Sequence, residues 1–183
     1  TVMVGDNTDG SALFSTASVY GGPSDTLDDC GNVNAAITNG GLMVGASYDF
    51  DNGFTAAVGY AGPEGAVLTE ESKDAYGVNA AYTSDNYGVS LTYGVIETSS
   101  TNDDSFTAIN AYYTPEGSLP SFSIGYEVGD IGGAAATEDE KESFFVGLQW
   151  DEVGPGSAGV ALGHSTTLEG AEEAYMYEAY YAY

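Results

Sequence analysis

The chain has 183 residues, Lys+Arg 2, Asp+Glu 28 and a formal net charge of −26. That balance excludes nucleic acid as a partner and docking on an anionic membrane through basic residues, since both need a basic patch, whereas cations are drawn to it. At 43% hydrophobic and 13% aromatic the chain is too apolar for charge-driven disorder, yet it lacks the run of roughly eighteen apolar residues that makes a transmembrane helix, a test to which barrel strands are blind.

Residues 1–40 read as strand followed by a polar rim or pore loop. Val2 to Val4 and Ser11 to Tyr20 have strand character, while Gly21-Gly22-Pro23 and Asp28-Asp29-Cys30-Gly31 mark a turn-rich stretch. That stretch is expected over a rim or folded into a pore. Cys30 is alone, so it makes no internal disulfide and reads as a loop residue without catalytic role. The chain opens at Thr1 with no signal peptide, which suggests a processed, trimmed or partial sequence.

From residue 41 to 183 one device repeats: about ten residues of alternating apolar and small or polar character, then a turn. Leu42, Val44, Ala46, Tyr48 and Phe50 oppose Met43, Gly45, Ser47 and Asp49; Phe144, Val146, Leu148 and Trp150 oppose Phe145, Gly147 and Gln149. Period-two alternation marks antiparallel strands with one apolar face. Nine are predicted, at 41–50, 54–61, 75–84, 87–96, 105–114, 121–129, 142–151, 157–165 and 174–183. Soluble strands run about five or six residues, whereas tilted membrane strands need about nine to eleven, so the length points to an outer-membrane barrel.

The connections alternate in length. Short ones fall at 51–53, 85–86, 115–120 and 152–156, and long ones at about 62–74, 97–104, 130–141 and 166–173. Tight turns at one rim and long loops at the other are the habit of such a barrel. Acids gather in the long connections, with Asp130, Glu138, Asp139, Glu140 and Glu142 predicted at one mouth; Lys73 and Lys141 sit in long connections too. Glu127 and Glu178 lie inside strands, out of phase with the apolar residues, so they are expected to face a lumen. Gln149 and Asn79 join them as pore-lining candidates. A charge facing lipid near the midplane costs a few kcal/mol, which gives this phasing its weight.

Aromatics gather at strand ends. Tyr48, Phe50, Phe54, Tyr82, Tyr87, Tyr113, Phe122 and Trp150 lie beside the short turns, and Tyr60, Tyr76, Tyr93, Tyr126, Phe144 and Tyr175 toward the long loops. Aliphatic residues fill the middle, as in Ala56-x-Val58 and Val89-x-Leu91. Two belts around an aliphatic band suit the two interfaces of a bilayer. Packing the same tyrosines inside a soluble sandwich would leave many hydroxyls in need of partners.

No catalytic constellation stands out. His164, the one histidine, is in phase with Val160 and Leu162 and reads as interfacial or packed. No Gly-x-Ser-x-Gly motif accompanies it, and a zinc site needs more His or Cys than the chain holds. The acidic runs at 138–142 and 102–104 lack calcium-loop spacing and read as solvated charge. No catalytic residue, metal or cofactor is expected.

Several segments carry a resemblance: Thr26-Leu27-Asp28-Asp29-Cys30-Gly31-Asn32, Gly45-Ala46-Ser47-Tyr48-Asp49-Phe50, Tyr112-Tyr113-Thr114-Pro115-Glu116-Gly117, the stretch from Val146 to Gly156 around Trp150, and the run from Tyr175 to Tyr183. Together they resemble a family of cyanobacterial outer-membrane porins, related to carbohydrate-type porins and often described as iron-uptake porins. The resemblance implies a signal peptide, a periplasmic S-layer-homology domain and a coiled-coil spacer upstream, further strands past Tyr183, and a trimer. The chain then looks like an internal segment of an antiparallel transmembrane β-barrel, all-β, with nine or ten of its strands; an aqueous channel needs about sixteen. A complete ten-stranded barrel that uses residues 1–20 as its extra strand is the alternative.

The function expected is a water-filled channel in the outer membrane that passes small hydrophilic solutes and ions passively and favours cations. Iron is what the resemblance alone implies. The rival is an extracellular structural β-protein, a filament or surface-layer subunit whose acidic loops bind Ca²⁺.

Overall fold

The computed structural model describes residues 1–6, 11–24, 31, 35, 42–62, 74–97, 103–132, 140–165 and 174–183. Ten strands make up the sheet: β1 (Val2–Asp6), β2 (Leu42–Asp49), β3 (Phe54–Ala61), β4 (Ala75–Thr83), β5 (Tyr87–Ile96), β6 (Asp104–Tyr113), β7 (Ser121–Asp130), β8 (Glu140–Val153), β9 (Gly156–Ser165) and β10 (Ala174–Ala182). They pair in sequence order, each antiparallel to its neighbours, as one open sheet. No helix occurs among the described residues.

The nine strands predicted from alternation coincide with β2 to β10 to within a few residues at each end. Strands form there because each segment alternates in register with its neighbour: Ile124 of β7 stands opposite Ala111 on one side and Val146 on the other, all on the apolar face. Two expectations are corrected. Ser11 to Tyr20 is not a strand: 11–13 form a turn, closed by Phe14 N–H donating to Ser11 O at 2.8 Å, and the backbone then runs on outside the sheet. Nor is the sheet a closed ten-stranded barrel. Residues 1–20 supply the extra strand β1, but it pairs with β2 alone, and β10 pairs with β9 alone.

The short turns follow their glycines. Between β2 and β3, Asp51 and Gly53 adopt φ of 58° and 85°, which glycine takes without penalty and Asp tolerates better than most residues. β8 runs further than predicted, to Val153, because an extra residue forms a bulge between Trp150 and Val153. Its hairpin therefore closes through only Gly154 and Pro155, with Gly154 at φ 63°. Most of the long connections lie outside the described residues, as do Cys30, Lys73, Glu138 and Asp139.

The two faces of the sheet differ sharply. Val44, Val58, Tyr76, Val78, Leu91, Tyr93, Ile109, Ile124, Tyr126 and Val160 stand on one face and are exposed, Val58 by 53% and Leu91 by 52%. The opposite face carries small and polar residues and is buried: Ala57, Ala81, Ala108 and Phe145 lie there beside Asn79, Ser90, Thr92, Ser123, Glu127 and Ser143. A water-soluble sheet buries its apolar face and wets the polar one. Here the relation is reversed.

Candidate functional site: the polar face and the strap that crosses it

What covers the polar face is the chain's own N-terminal segment. Residues 14–24 run across it as a strap, and the N–H groups of alternate residues, which point the same way in extended backbone, find side-chain acceptors on β4, β5, β7 and β8 in turn. Ser15 N–H donates to Asn79 Oδ1 on β4 at 3.0 Å, and Asn79 Nδ2 returns a bond to Ser15 O at 3.1 Å. Ala17 N–H donates to Ser90 Oγ on β5 at 3.0 Å, and Val19 N–H to Ser123 Oγ on β7 at 3.0 Å. Gly21 N–H completes the series on Gln149 Oε1 of β8 at 2.8 Å. Asn79 is further fixed by donating to Thr92 Oγ1 at 2.9 Å.

An aromatic latch holds the strap's far end. The Tyr20 hydroxyl donates to Glu178 Oε1 on β10 at 2.6 Å, a short charge-assisted bond. Its ring meets Phe145 and Tyr180 edge-on, with centroids 5.4 and 5.9 Å apart. Tyr180 in turn donates to Gln149 Oε1 at 2.9 Å. Glycine makes the close approach possible, because a Cβ on Gly147 would stand 2.7 Å from atoms of both Phe145 and Tyr20. Beyond the latch, Gly31 N–H donates to Ser143 Oγ at 3.0 Å and Ala35 N–H to Glu127 Oε2 at 2.8 Å.

All four pore-lining candidates, Glu127, Glu178, Gln149 and Asn79, thus stand on the polar face, and each one binds covering chain. Glu127 is 1% exposed and Asn79 4% exposed, whereas Glu178 and Gln149 are half-buried. The sequence predicts a covering loop only from Gly21 onward, so it misses that the strap already crosses the polar face at Ser15, Ala17 and Val19 and how it is bonded there. A scatter of inward Ser and Asn acceptors was its only signal, and these serve backbone donors from far upstream.

The other predicted residues fall as follows. Tyr48, Phe50, Phe54, Tyr87, Tyr113 and Phe122 are exposed beside the short turns, with Tyr82 and Trp150 half-buried. Neighbours among them touch: ring centroids lie 4.8 Å apart for Tyr48 and Phe50, 5.8 Å for Phe54 and Tyr82, and 5.8 Å for Tyr82 and Tyr87. At the other end Tyr126, Phe144, His164 and Tyr175 are register partners across β7 to β10. His164 is buried in that row, 5.2 Å from Phe144 and 4.5 Å from Tyr175 between ring centroids. Of the mouth acids, Asp130 faces Glu140 across the β7–β8 ladder, and Glu142 accepts from the Tyr126 hydroxyl at 2.9 Å. Among the described residues no three His, Cys, Asp or Glu side chains converge to hold a metal ion.

No family model, curated protein or solved structure matches the chain.

Proposed function

We propose that this chain is part of an outer-membrane porin, a segment of a β-barrel that passes small hydrophilic solutes and ions by passive diffusion and favours cations. The observation that carries the reading is the reversed sheet: a broad face of Val, Leu, Ile and Tyr left exposed while Asn, Ser and Glu are buried behind it. Soluble monomers rarely leave contiguous apolar patches beyond a few hundred Å² uncovered. A bilayer removes the difficulty, since lipid tails cover the aliphatic band and the aromatic rows meet the interfaces.

The open edges fit the same reading. Unpaired backbone groups are not tolerated in lipid, so strands outside this chain would close the barrel on β1 and β10. The strap would then lie inside the lumen and narrow it, leaving a path suited to small solutes. With 28 acids against 2 basic residues, the field at its mouth attracts cations and repels anions. Trimeric assembly rests on the resemblance alone.

The open edges also favour a second reading, in which β1 and β10 add strands from neighbouring copies in an extracellular filament or surface layer. One preparation separates the two. The native protein is extracted from outer membranes in detergent and its single-channel conductance recorded in a planar bilayer under a salt gradient. Discrete, cation-selective steps support the porin. Extraction in water or chelator, and silence from stably folded material, would favour the structural protein.

A further inference from the structure

At the short-turn end of the sheet, where Ser121 pairs with Gln149, a cavity of about 400 Å³ opens between the 114–120 connection and the bulged end of β8. Thr114, Leu119, Ser121, Trp150, Asp151 and Glu152 are among its walls. The volume falls within the range of roughly 300–1,000 Å³ usual for small-molecule sites. We propose that it binds a small organic cation, an ammonium group on a short apolar stem.

Three features of the walls lead to that class. Two adjacent carboxylates, Asp151 and Glu152, line the cavity with no basic side chain among its walls, so a ligand's charge is the available neutralisation. Asp151 is held in place, since Gln149 Nε2 donates to its Oδ1 at 2.8 Å, and a carboxylate fixed before binding loses less freedom on pairing. Trp150 and Leu119 supply apolar surface beside the acids, and indole is the aromatic that attracts cations best. A bare metal ion would leave most of this volume to water, and a neutral polyol would leave the carboxylate charge uncompensated. The threonine and serine hydroxyls accept the remaining N–H donors.

The chain has one tryptophan and it lines the cavity, so emission excited at wavelengths where the 15 tyrosines do not absorb reads this site. Folded chain in detergent is titrated with 1,4-diaminobutane at constant ionic strength, with sodium chloride and glucose as comparison titrants. A saturable change in Trp150 emission with the diamine is expected, absent with sodium chloride. Replacing both acids, Asp151→Asn with Glu152→Gln, should raise the half-saturating concentration by about tenfold or more, as loss of charge-assisted contacts requires. Glu116→Gln, which changes an acid of the same rim outside the cavity wall, should leave it unchanged. An equal response to sodium chloride, a saturable response to glucose without one to the diamine, no response at all, or equal weakening by Glu116→Gln would each overturn the proposal. Circular dichroism of each variant establishes that the sheet is intact. None of these readings requires a conducting pore, so they stand apart from the channel experiment.

Discussion

Glu127 and Glu178 share a face of the sheet but not an environment. Glu127 is enclosed and accepts the Ala35 N–H, whereas Glu178 is half-buried and accepts the Tyr20 hydroxyl. Under the porin reading, removing either charge lowers cation preference, and Glu178→Gln should lower it more than Glu127→Gln, because a charge nearer water acts more strongly on passing ions. Reversal potentials under a salt gradient measure both. Stability should rank the other way for truncation: Glu127→Ala leaves a buried N–H without its acceptor, a loss of about 1–3 kcal/mol readable as a lower denaturant midpoint. The phase of both glutamates was legible in the sequence, since alternation alone assigns a face. Their partners were not, because Ala35 and Tyr20 lie 92 and 158 residues away along the chain.

At the scale of elements, strands and strap are built on different rules. β2 to β10 were legible because a strand writes its face into its own ten residues and each short turn carries its Gly, Asn or Pro. The extension of β8 to Val153 escaped, since a bulge adds a residue without disturbing composition. The strap has no such period. Its backbone bonds to side chains, so its course is set by where Asn79, Ser90, Ser123 and Gln149 stand on the sheet. It should therefore loosen alone. Tyr20→Phe removes the bond to the half-buried Glu178, which water replaces in part, with an expected local loss of about 0.5–1.5 kcal/mol. Hydrogen exchange should rise at Ala17, Val19 and Gly21 while the amides of β5 to β9 keep their protection.

Seen whole, the molecule is a sheet whose apolar face is the exposed one, and a single substitution tests which solvent that face was shaped for. Leu91, in the middle of β5, is 52% exposed. In a bilayer, Leu91→Arg should cost about 2–4 kcal/mol and reduce insertion into liposomes. In a water-facing sheet the same change would be nearly neutral and would improve solubility. Sheet order and strand direction were foreseeable from the alternating connection lengths. An open sheet agrees with the partial barrel expected above and not with its ten-stranded alternative; alternation alone does not choose between them, because closure depends on whether β1 meets β10, and neither strand's own pattern records its far neighbour.

The strap also fixes an order of events in time. Its segment leaves the ribosome before its acceptors, which lie from 64 to 158 residues downstream. Closing so long a loop is entropically slow, and the partners face one another only after the intervening hairpins have aligned. Early in folding, Asn79, Ser90, Ser123 and Gln149 are therefore hydrated and open to water, and the last step dries them. A pulse of protease during refolding should find the N-terminal segment cleavable after the hairpins have become resistant. Cleavage that ends before the hairpins are protected would mean that the strap guides the sheet rather than follows it.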